Sequence, residues 1–252
     1  MNLARAFALA IIAIGASGLN PSIAAEPSGE AVAVIQSTAV SGASGNRPLA
    51  VKGPVFSGDV VKTDQAGSAQ ILFRDDTKLV VGPNSEITID RFVFADRSTA
   101  REVTINALRG VFRFITGSSQ KQAYTIKTPT ATIGVRGTAF DVAIDDGTTY
   151  FGLWDGGVRM CEKGPQMPRC AELTDRCSVL ILAPKEDFRW VSNIYERTSV
   201  MEKVFPYAFR QSDLLADFRV KSRACENRQR IKRKSVRDRD KDRKRCSGKG
   251  CR

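Results

Sequence analysis

Short runs of alternating apolar and polar residues, separated by turn residues, fill positions 30–160 of this 252-residue chain. In residues 69–74, Ala69, Ile71 and Phe73 fall on one face of an extended chain. The other runs are residues 86–94, 102–108, 111–116, 124–128, 131–135, 138–144, 148–153 and 157–160. Strand-like runs with turn residues about every 8–12 positions predict an all-β fold, as a compact sandwich, a jelly-roll-like domain or a solenoid-like domain.

Beyond residue 160 the pattern changes. Residues 179–182 still predict a strand, whereas residues 192–205 predict a helix that ends before Pro206. Ser212 and Asp213 are candidate caps for a second helix, which would bury Leu214, Leu215 and Phe218. The expected organisation is a signal peptide at 1–25, a β domain at 26–160, a cysteine-containing extension with short helices at 161–220 and a basic tail at 221–252.

The N-terminus has the features of a secretory signal. Arg5 precedes an unbroken apolar run at 6–14, and small residues lead to a cleavage position after Ala24 or Ala25. The run is shorter than the ~20 residues that span a membrane. We therefore expect export, no membrane-spanning helix after cleavage and residence in the periplasm, with the cell surface and the extracellular medium as alternatives.

Six cysteines all follow residue 160. They are Cys161, Cys170, Cys177, Cys225, Cys246 and Cys251. An exported chain meets an oxidising compartment, so structural disulfides are expected, but six cysteines allow 15 pairings and the sequence does not choose among them. Cys161 with Cys170, and Cys246 with Cys251, bracket short loops. Metal binding is disfavoured because the chain lacks both CxxC and histidine.

The net charge of +12 is concentrated at one end. Residues 221–252 hold 15 Lys or Arg against 4 Asp or Glu, which leaves residues 1–220 almost neutral. No aromatic residue follows Phe218, so the tail has no platform for base stacking, and we expect no nucleic-acid partner. The tail is either a solvated, disordered or helical end or a segment that binds a polyanionic envelope surface, such as lipopolysaccharide or an acidic glycan.

Catalytic residues are not evident. The chain has no histidine, which removes the usual general base and most nucleophile pairs. Three acidic doublets begin at Asp75, Asp145 and Glu186. Adjacent strand residues point to opposite faces, so these doublets are better explained as turns than as paired catalytic carboxylates. We expect no enzymatic activity, no cofactor and no metal ion.

Several blocks resemble the periplasmic domain of FecR-type iron-sensor regulators over roughly residues 47–160. They are residues 55–63, 67–73, 77–87, 108–112, 128–131 and 135–142. The family usually has Asp-Gly where this chain has Asp75-Asp76. Full regulators also carry a cytoplasmic anti-sigma region and a membrane helix, whereas here a signal peptide is predicted. The chain therefore resembles standalone, exported members of the family, and we do not expect it to contact a cytoplasmic sigma factor.

Six residues in these blocks are candidate structural or binding residues. They are Gly58, Asp59, Arg136, Gly137, Thr138 and Phe140. Gly58-Asp59 predicts a turn, and Gly137 predicts a bulge or a close backbone approach. Arg136 would either tie down a neighbouring loop or acidic side chain, or clamp a ligand carboxylate.

The expected function is that of a non-enzymatic, exported binding module of the bacterial envelope, with an envelope protein as its partner. One alternative is a periplasmic signalling component that senses a receptor or ligand without its own anti-sigma region. The other is a binder of lipopolysaccharide or acidic glycans through the basic tail.

Overall fold

A computed structural model describes residues 26–43, 45–120, 123–164, 168–222 and 225. The strands among them are β1 (Gly29–Ile35), β2 (Thr38–Gly42), β3 (Gly45–Pro48), β4 (Pro54–Val55), β5 (Val60–Thr63), β6 (Ser68–Phe73), β7 (Lys78–Val81), β8 (Glu86–Phe94), β9 (Ala100–Ile115), β10 (Tyr124–Lys127), β11 (Ala131–Asp145), β12 (Thr148–Glu162), β13 (Cys170–Leu173), β14 (Val179–Leu182) and β15 (Arg189–Trp190). Helix α1 (Ile194–Val204) and a 3-10 turn (Ala216–Phe218) follow.

Three long strands, β9, β11 and β12, run through both layers of a bent, open sheet. Layer A contains β3, β2, β5, β8, the first part of β9, β10, the first part of β11, the second part of β12, and β13. Layer B contains β4, β1, β6, β7, the second part of β9, the second part of β11, the first part of β12, β14 and β15. The predicted all-β, sandwich-like fold is confirmed.

Each long strand has a glycine with positive φ where it passes between layers. These are Gly110 (φ 94°), Gly137 (φ 62°) and Gly156 (φ 79°). A Cβ on Gly156 would lie 2.0 Å from the carbonyl oxygen of Gly137, and the β11–β12 register shifts between Arg136 and Ala139. The irregularity predicted at Gly137 is confirmed, and it is the place where two strands bend together.

The inner faces of both layers form one apolar core. In layer A, paired positions place Ala171, Met160, Ile133, Ile126, Ile105 and Ile89 in one row. In layer B, the corresponding row is Ala69, Val81, Phe112, Val142, Phe151 and Leu180. All of these side chains are buried, as expected when alternate residues of each strand face the opposite layer.

The outer face of layer B is also buried. It lies beneath α1 and beneath residues 205–222, and we call residues 205–222 the strap. Phe205 packs over Gly152, where a Cβ would approach its ring to 3.1 Å. Met201 and Ala208 complete a second apolar cluster against this face, and Leu214 and Phe218 contact Val80 in a third. The segment after residue 160 therefore adds strands to the sheet and covers one of its outer faces.

The second predicted helix is wrong in extent, because only Ala216–Phe218 forms a 3-10 turn. Gln70 provides the reason, since its amide donates to the carbonyl of Asp213 (3.0 Å) and accepts from the N–H of Leu215 (2.8 Å). These main-chain groups bond to the Gln70 side chain of β6 and are not available for the hydrogen bonds of a helix. Leu214 and Phe218 are buried as expected, whereas Leu215 is exposed.

Two disulfides lie among the described residues. Cys161–Cys170 joins directly paired positions of β12 and β13, and Cys177–Cys225 ties the turn before β14 to the chain just after the strap. Cys246 and Cys251, the predicted signal peptide at 1–25 and all but a few residues of the predicted basic tail lie outside the described residues. None of the helices in the described part of the chain is long and apolar enough to cross a membrane.

Candidate functional site

Asp59 and Gly58 form the turn that precedes β5. Gly58 has φ 88°, and the buried carboxylate of Asp59 accepts hydrogen bonds from Arg47 Nη2 (2.9 Å) and the N–H of Phe56 (3.0 Å). Both hydrogen bonds reach the same oxygen, Oδ2, at the layer A edge. The bond from Phe56 to Asp59 stabilises the turn, and the ion pair between Arg47 and Asp59 fixes the position of β3.

Asp75 is buried at the centre of a hydrogen-bond network. Its Oδ2 accepts from Tyr124 OH (2.7 Å) and Ser119 Oγ (2.9 Å), and its Oδ1 accepts from the N–H of Thr77 (3.1 Å). Burial raises the pKa of Tyr124 above its ordinary value. The network joins the β6–β7 turn to the segment after β9, so its groups hold the fold together.

The acidic doublets between strands lie in turns, as predicted. Asp76 adopts φ 65° between β6 and β7, and Asp146 adopts φ 44° in the hairpin between β11 and β12. Positive φ is the conformation that glycine adopts most readily, which accounts for the Asp-Gly usually found in the family at the first position. The third doublet contributes Asp187, which pairs with Arg169.

Thr138 and Phe140 stabilise the bend of β11. Thr138 Oγ1 donates to the carbonyl of Gly157 at 2.8 Å, and its N–H donates to Thr116 Oγ1 at 2.9 Å. Phe140 is buried between the rings of Phe114 and Phe151. Thr138 and Phe140 thus have structural roles.

Arg136 differs from the other candidates because its side chain is exposed. No hydrogen bond or ion pair joins its guanidinium to any of the residues that the structure describes. The expected tie to a neighbouring loop is therefore not observed within the described part of the chain. Arg136 lies on the outer face of layer A, opposite Gly157 of β12.

The outer face of layer A, which we call the open face, is not covered by any other described segment. One row of paired positions across it consists of Glu172, Arg159, Gly134, Thr125, Thr104 and Arg91. Ion pairs cross this face at Lys62–Glu86 (3.1 Å), Arg91–Glu102 (3.3 Å) and Lys127–Asp90 (3.8 Å). The open face is a polar sheet surface on which every member of this row except the buried Thr104 is at least partly exposed, in a domain whose other outer face is buried.

Two concavities lie near the disulfides. One of about 580 Å³ is lined in part by Cys177, Cys225 and Arg197, and another of about 260 Å³ by Thr130 and Lys163. Burial, with the charge of Lys127, lowers the pKa of Lys163. Across the described ranges, no three His, Cys, Asp or Glu side chains are grouped to hold a metal ion.

Two fully buried charges are not indicated by the sequence pattern. Arg113 and Asp141 lie opposite each other on the outer face of layer B, and both are fully buried beneath the strap. In the sequence, each is a polar residue between apolar ones, which is typical of a solvated outer face. Only the position of the strap makes them interior residues.

Comparison with known proteins gives one family match. Residues 59–159 match the family described as FecR protein, which confirms the resemblance over most of the range in which it was seen. No curated protein sequence matches the chain.

Two crystal structures of a candidate anti-sigma factor from Parabacteroides distasonis match part of this chain. One has 14% identity and a TM-score of 0.40, and covers 52% of this chain and 58% of that one. The other has 13% identity and a TM-score of 0.43, and covers 57% of this chain and 63% of that one. This chain thus spans less than two thirds of the length of either structure.

Proposed function

We propose, from the FecR-type domain at residues 59–159, that this chain is a non-enzymatic, exported binding module of the bacterial envelope that contacts a partner protein through its open face. The observation that carries the proposal is the difference between the two outer faces. Layer B is buried under α1 and the strap, whereas the open face presents polar side chains and an exposed Arg136. The two described disulfides support an oxidising compartment, for which the periplasm is our choice.

A binding role without catalysis is supported by what the buried polar groups do. Asp59, Asp75 and Asp141 are each bonded to side chains or main-chain groups of the fold. A general acid or base needs a group that reaches substrate, and these carboxylates face protein donors.

The family match also favours a signalling role for the same surface. In that case the partner on the open face is the periplasmic part of a receptor, and its binding state is passed on by a further component. A gene for a sigma factor, an anti-sigma factor or an outer-membrane receptor beside this one would support this version of the proposal.

Site-specific photo-crosslinking in cells tests the proposal. A photoreactive amino acid replaces Thr125 or Thr132 on the open face, or Tyr195 on exposed α1 as the control. We expect one crosslinked partner protein from both open-face positions and none from position 195. Crosslinks from position 195 alone, or from none of the three, would contradict the proposal.

The role of the basic tail needs a separate comparison. Full-length protein and a form ending at Glu226 are tested for lipopolysaccharide binding at two salt concentrations. The shorter form keeps Cys225, whose disulfide with Cys177 holds the strap. Equal, salt-insensitive binding by both forms would exclude tail-dependent polyanion binding.

A further inference from the structure

Four residues on the open face form a notch, which we call the arginine notch. Strand pairing places Arg136 opposite Gly157, and Gly134 opposite Arg159. The two arginines therefore occupy one diagonal of a four-residue square and the two glycines the other. Diagonal neighbours of this kind have Cα atoms about 7–8 Å apart, so the two arginine side chains leave the sheet on either side of two positions that carry no side chain, which we call the glycine floor.

The two arginines are the exposed cations of this region that lack partners. Neither Arg136 nor Arg159 forms a hydrogen bond or ion pair with any described residue, although Glu172 lies directly across from Arg159 on β13. Elsewhere on the same face Lys62 and Arg91 are paired with carboxylates. Two like charges left unpaired on neighbouring strands repel each other, and an anion between them would remove that cost.

The glycine floor is not required by the backbone. Neither Gly134 nor Gly157 has positive φ, and a Cβ on Gly134 would meet only the carbonyl oxygen of Arg159, at 3.8 Å. A Cβ on Gly157 would make ordinary contacts with the carbonyl oxygen of Leu173 (3.4 Å) and with Cγ2 of Thr174 (3.6 Å), which borders the notch on that side. Glycine inside a strand lowers stability by about 0.5–1 kcal/mol relative to alanine. On the opposite outer face the comparable space at Gly152 is filled by Phe205. At Gly134 no described side chain fills it.

We propose that the arginine notch binds a carboxylate side chain from an acidic segment of the partner protein. Each guanidinium can donate two parallel hydrogen bonds to a carboxylate, and the floor lets the partner's chain approach the sheet closely. The assignment rests on the proposed function, because it takes the open face as the partner surface. It adds that the partner must present an acidic side chain to the open face.

The paired cations favour a local acidic group over an extended anionic surface. A lipid or lipopolysaccharide surface would engage many free cations together, whereas on this face Lys62, Arg91 and Lys127 are each neutralised by a neighbour. The two free arginines are next to each other. A single acidic side chain, or two in sequence, is the ligand that this arrangement fits.

Arginine side-chain NMR on the full chain tests the assignment. The probes are the acetylated and amidated dipeptide Glu-Glu and inorganic phosphate, each titrated at constant ionic strength. We expect the Nε–H signals of Arg136 and Arg159 to shift together and saturate with the dipeptide, while the signal of Arg91 stays in place. Equal shifts of all three arginines, or no shift of the first two, would overturn the proposal, and so would tighter binding of phosphate than of the dipeptide.

Amino-acid substitutions distinguish specific binding at the arginine notch from general attraction between opposite charges. Arg136→Gln and Arg159→Gln should each weaken dipeptide binding about tenfold, whereas the charge-matched control Arg91→Gln should not change it. Gly134→Thr keeps both arginines and suits a strand, so it should fold with an unchanged or higher melting temperature and lose binding. Undiminished binding by the folded Gly134→Thr protein would contradict a notch that admits the ligand.

The two proposals fail in different ways. If the dipeptide binds at the notch but positions 125 and 132 give no crosslink, the partner-binding function is rejected, whereas the arginine notch remains supported as a carboxylate-binding site. Crosslinking to a partner that is unaffected by Arg136→Gln and Arg159→Gln would keep the function and reject the acidic contact.

Discussion

Arg113 and Asp141 face each other across β9 and β11 in a fully buried, bidentate ion pair, with Nε–Oδ1 at 2.7 Å and Nη2–Oδ2 at 2.8 Å. Two further donors of Arg113 bond to the strap, at Gln211 Oε1 (2.7 Å) and the carbonyl of Tyr207 (2.9 Å). Gln211 in turn bonds to Val220 at both its main-chain N–H and its carbonyl. The strap is therefore held on layer B by charge-assisted hydrogen bonds as well as by apolar contacts.

Removing either member of this pair should destabilise the protein strongly. Arg113→Ala or Asp141→Ala leaves an unpaired buried charge, so we expect a loss of about 3–5 kcal/mol in the free energy of unfolding, measured in urea. The exposed Arg91–Glu102 pair is the control, and Arg91→Ala should cost less than about 1 kcal/mol. The double variant Arg113→Met with Asp141→Leu should lose less than either single variant. Similar small losses for all variants would show that the buried pair is not a stabilising contact.

The two described disulfides should differ in their contribution to stability. Cys177–Cys225 closes a separation of 48 residues and Cys161–Cys170 one of 9. Loop-closure entropy predicts losses of about 4 and about 2.5 kcal/mol when each pair is replaced by alanine. Denaturant midpoints of the two double-alanine variants check the order. A larger loss for the shorter loop would contradict it.

Gly152 and Gly134 allow a matched test of whether each outer face is covered by a packed side chain. Gly152→Ala would place a methyl 3.1 Å from the ring of Phe205, so we expect a loss of about 1–2 kcal/mol. Gly134→Ala would make only an ordinary van der Waals contact, with the carbonyl oxygen of Arg159 at 3.8 Å, and should increase stability by about 0.5 kcal/mol. Thermal unfolding measures both. Equal effects would mean that Phe205 does not pack on Gly152.

Tyr124 should make stability depend on alkaline pH. Burial raises the pKa of its folded-state hydroxyl above 10.0, so below that pH both folded and unfolded forms are neutral and the stabilisation is complete. As the pH rises past 10 toward the folded pKa, the unfolded chain loses the proton first and stability falls. Tyr124→Phe removes this dependence, and it also deprives Asp75 of a donor, at a cost of about 1–2 kcal/mol near neutrality.

The measurement is urea unfolding of both proteins at pH 8 and pH 10.5. The stability advantage of the original protein over Tyr124→Phe should shrink at the higher pH. A constant difference between the two proteins would argue against the buried hydroxyl as the cause.

Asp76 offers a test of the turn between β6 and β7. It is exposed and has φ 65°, so Asp76→Gly should raise the free energy of unfolding by about 0.5 kcal/mol. Asp76→Ala, whose Cβ disfavours this conformation and which lacks the local hydrogen bonding of aspartate, should lower it by about 1 kcal/mol. Chemical denaturation of the two variants gives the comparison. The reverse order would contradict a left-handed turn at this position.

Local patterns in the sequence were sufficient for the strands, for the turn doublets and for the irregularity at Gly137. Alternation and turn residues act over a few positions, and a strand's buried face is visible in its own residues. The helix at α1 was predicted for the same reason, although its cap is Asn193, whose side chain accepts from the N–H groups of Tyr195 and Glu196. The helix predicted after Ser212 failed because Gln70, far away in the chain, bonds to that backbone.

The sequence by itself determined an all-β domain with FecR-type blocks, the turn residues and the cysteines available for bridging. Tertiary structure alone decided which outer face is covered and which is open, because that depends on where the strap crosses layer B. The strap residues that bond to Arg113, Tyr207 and Gln211, follow it by 94 and 98 positions in the chain. The same distinction separates Arg113 from Arg136. Both are outward-facing arginines in their strands, but one is buried with Asp141 beneath the strap and the other is exposed beside a glycine floor. Burial on an outer face is a property of what packs there, and no local pattern records it.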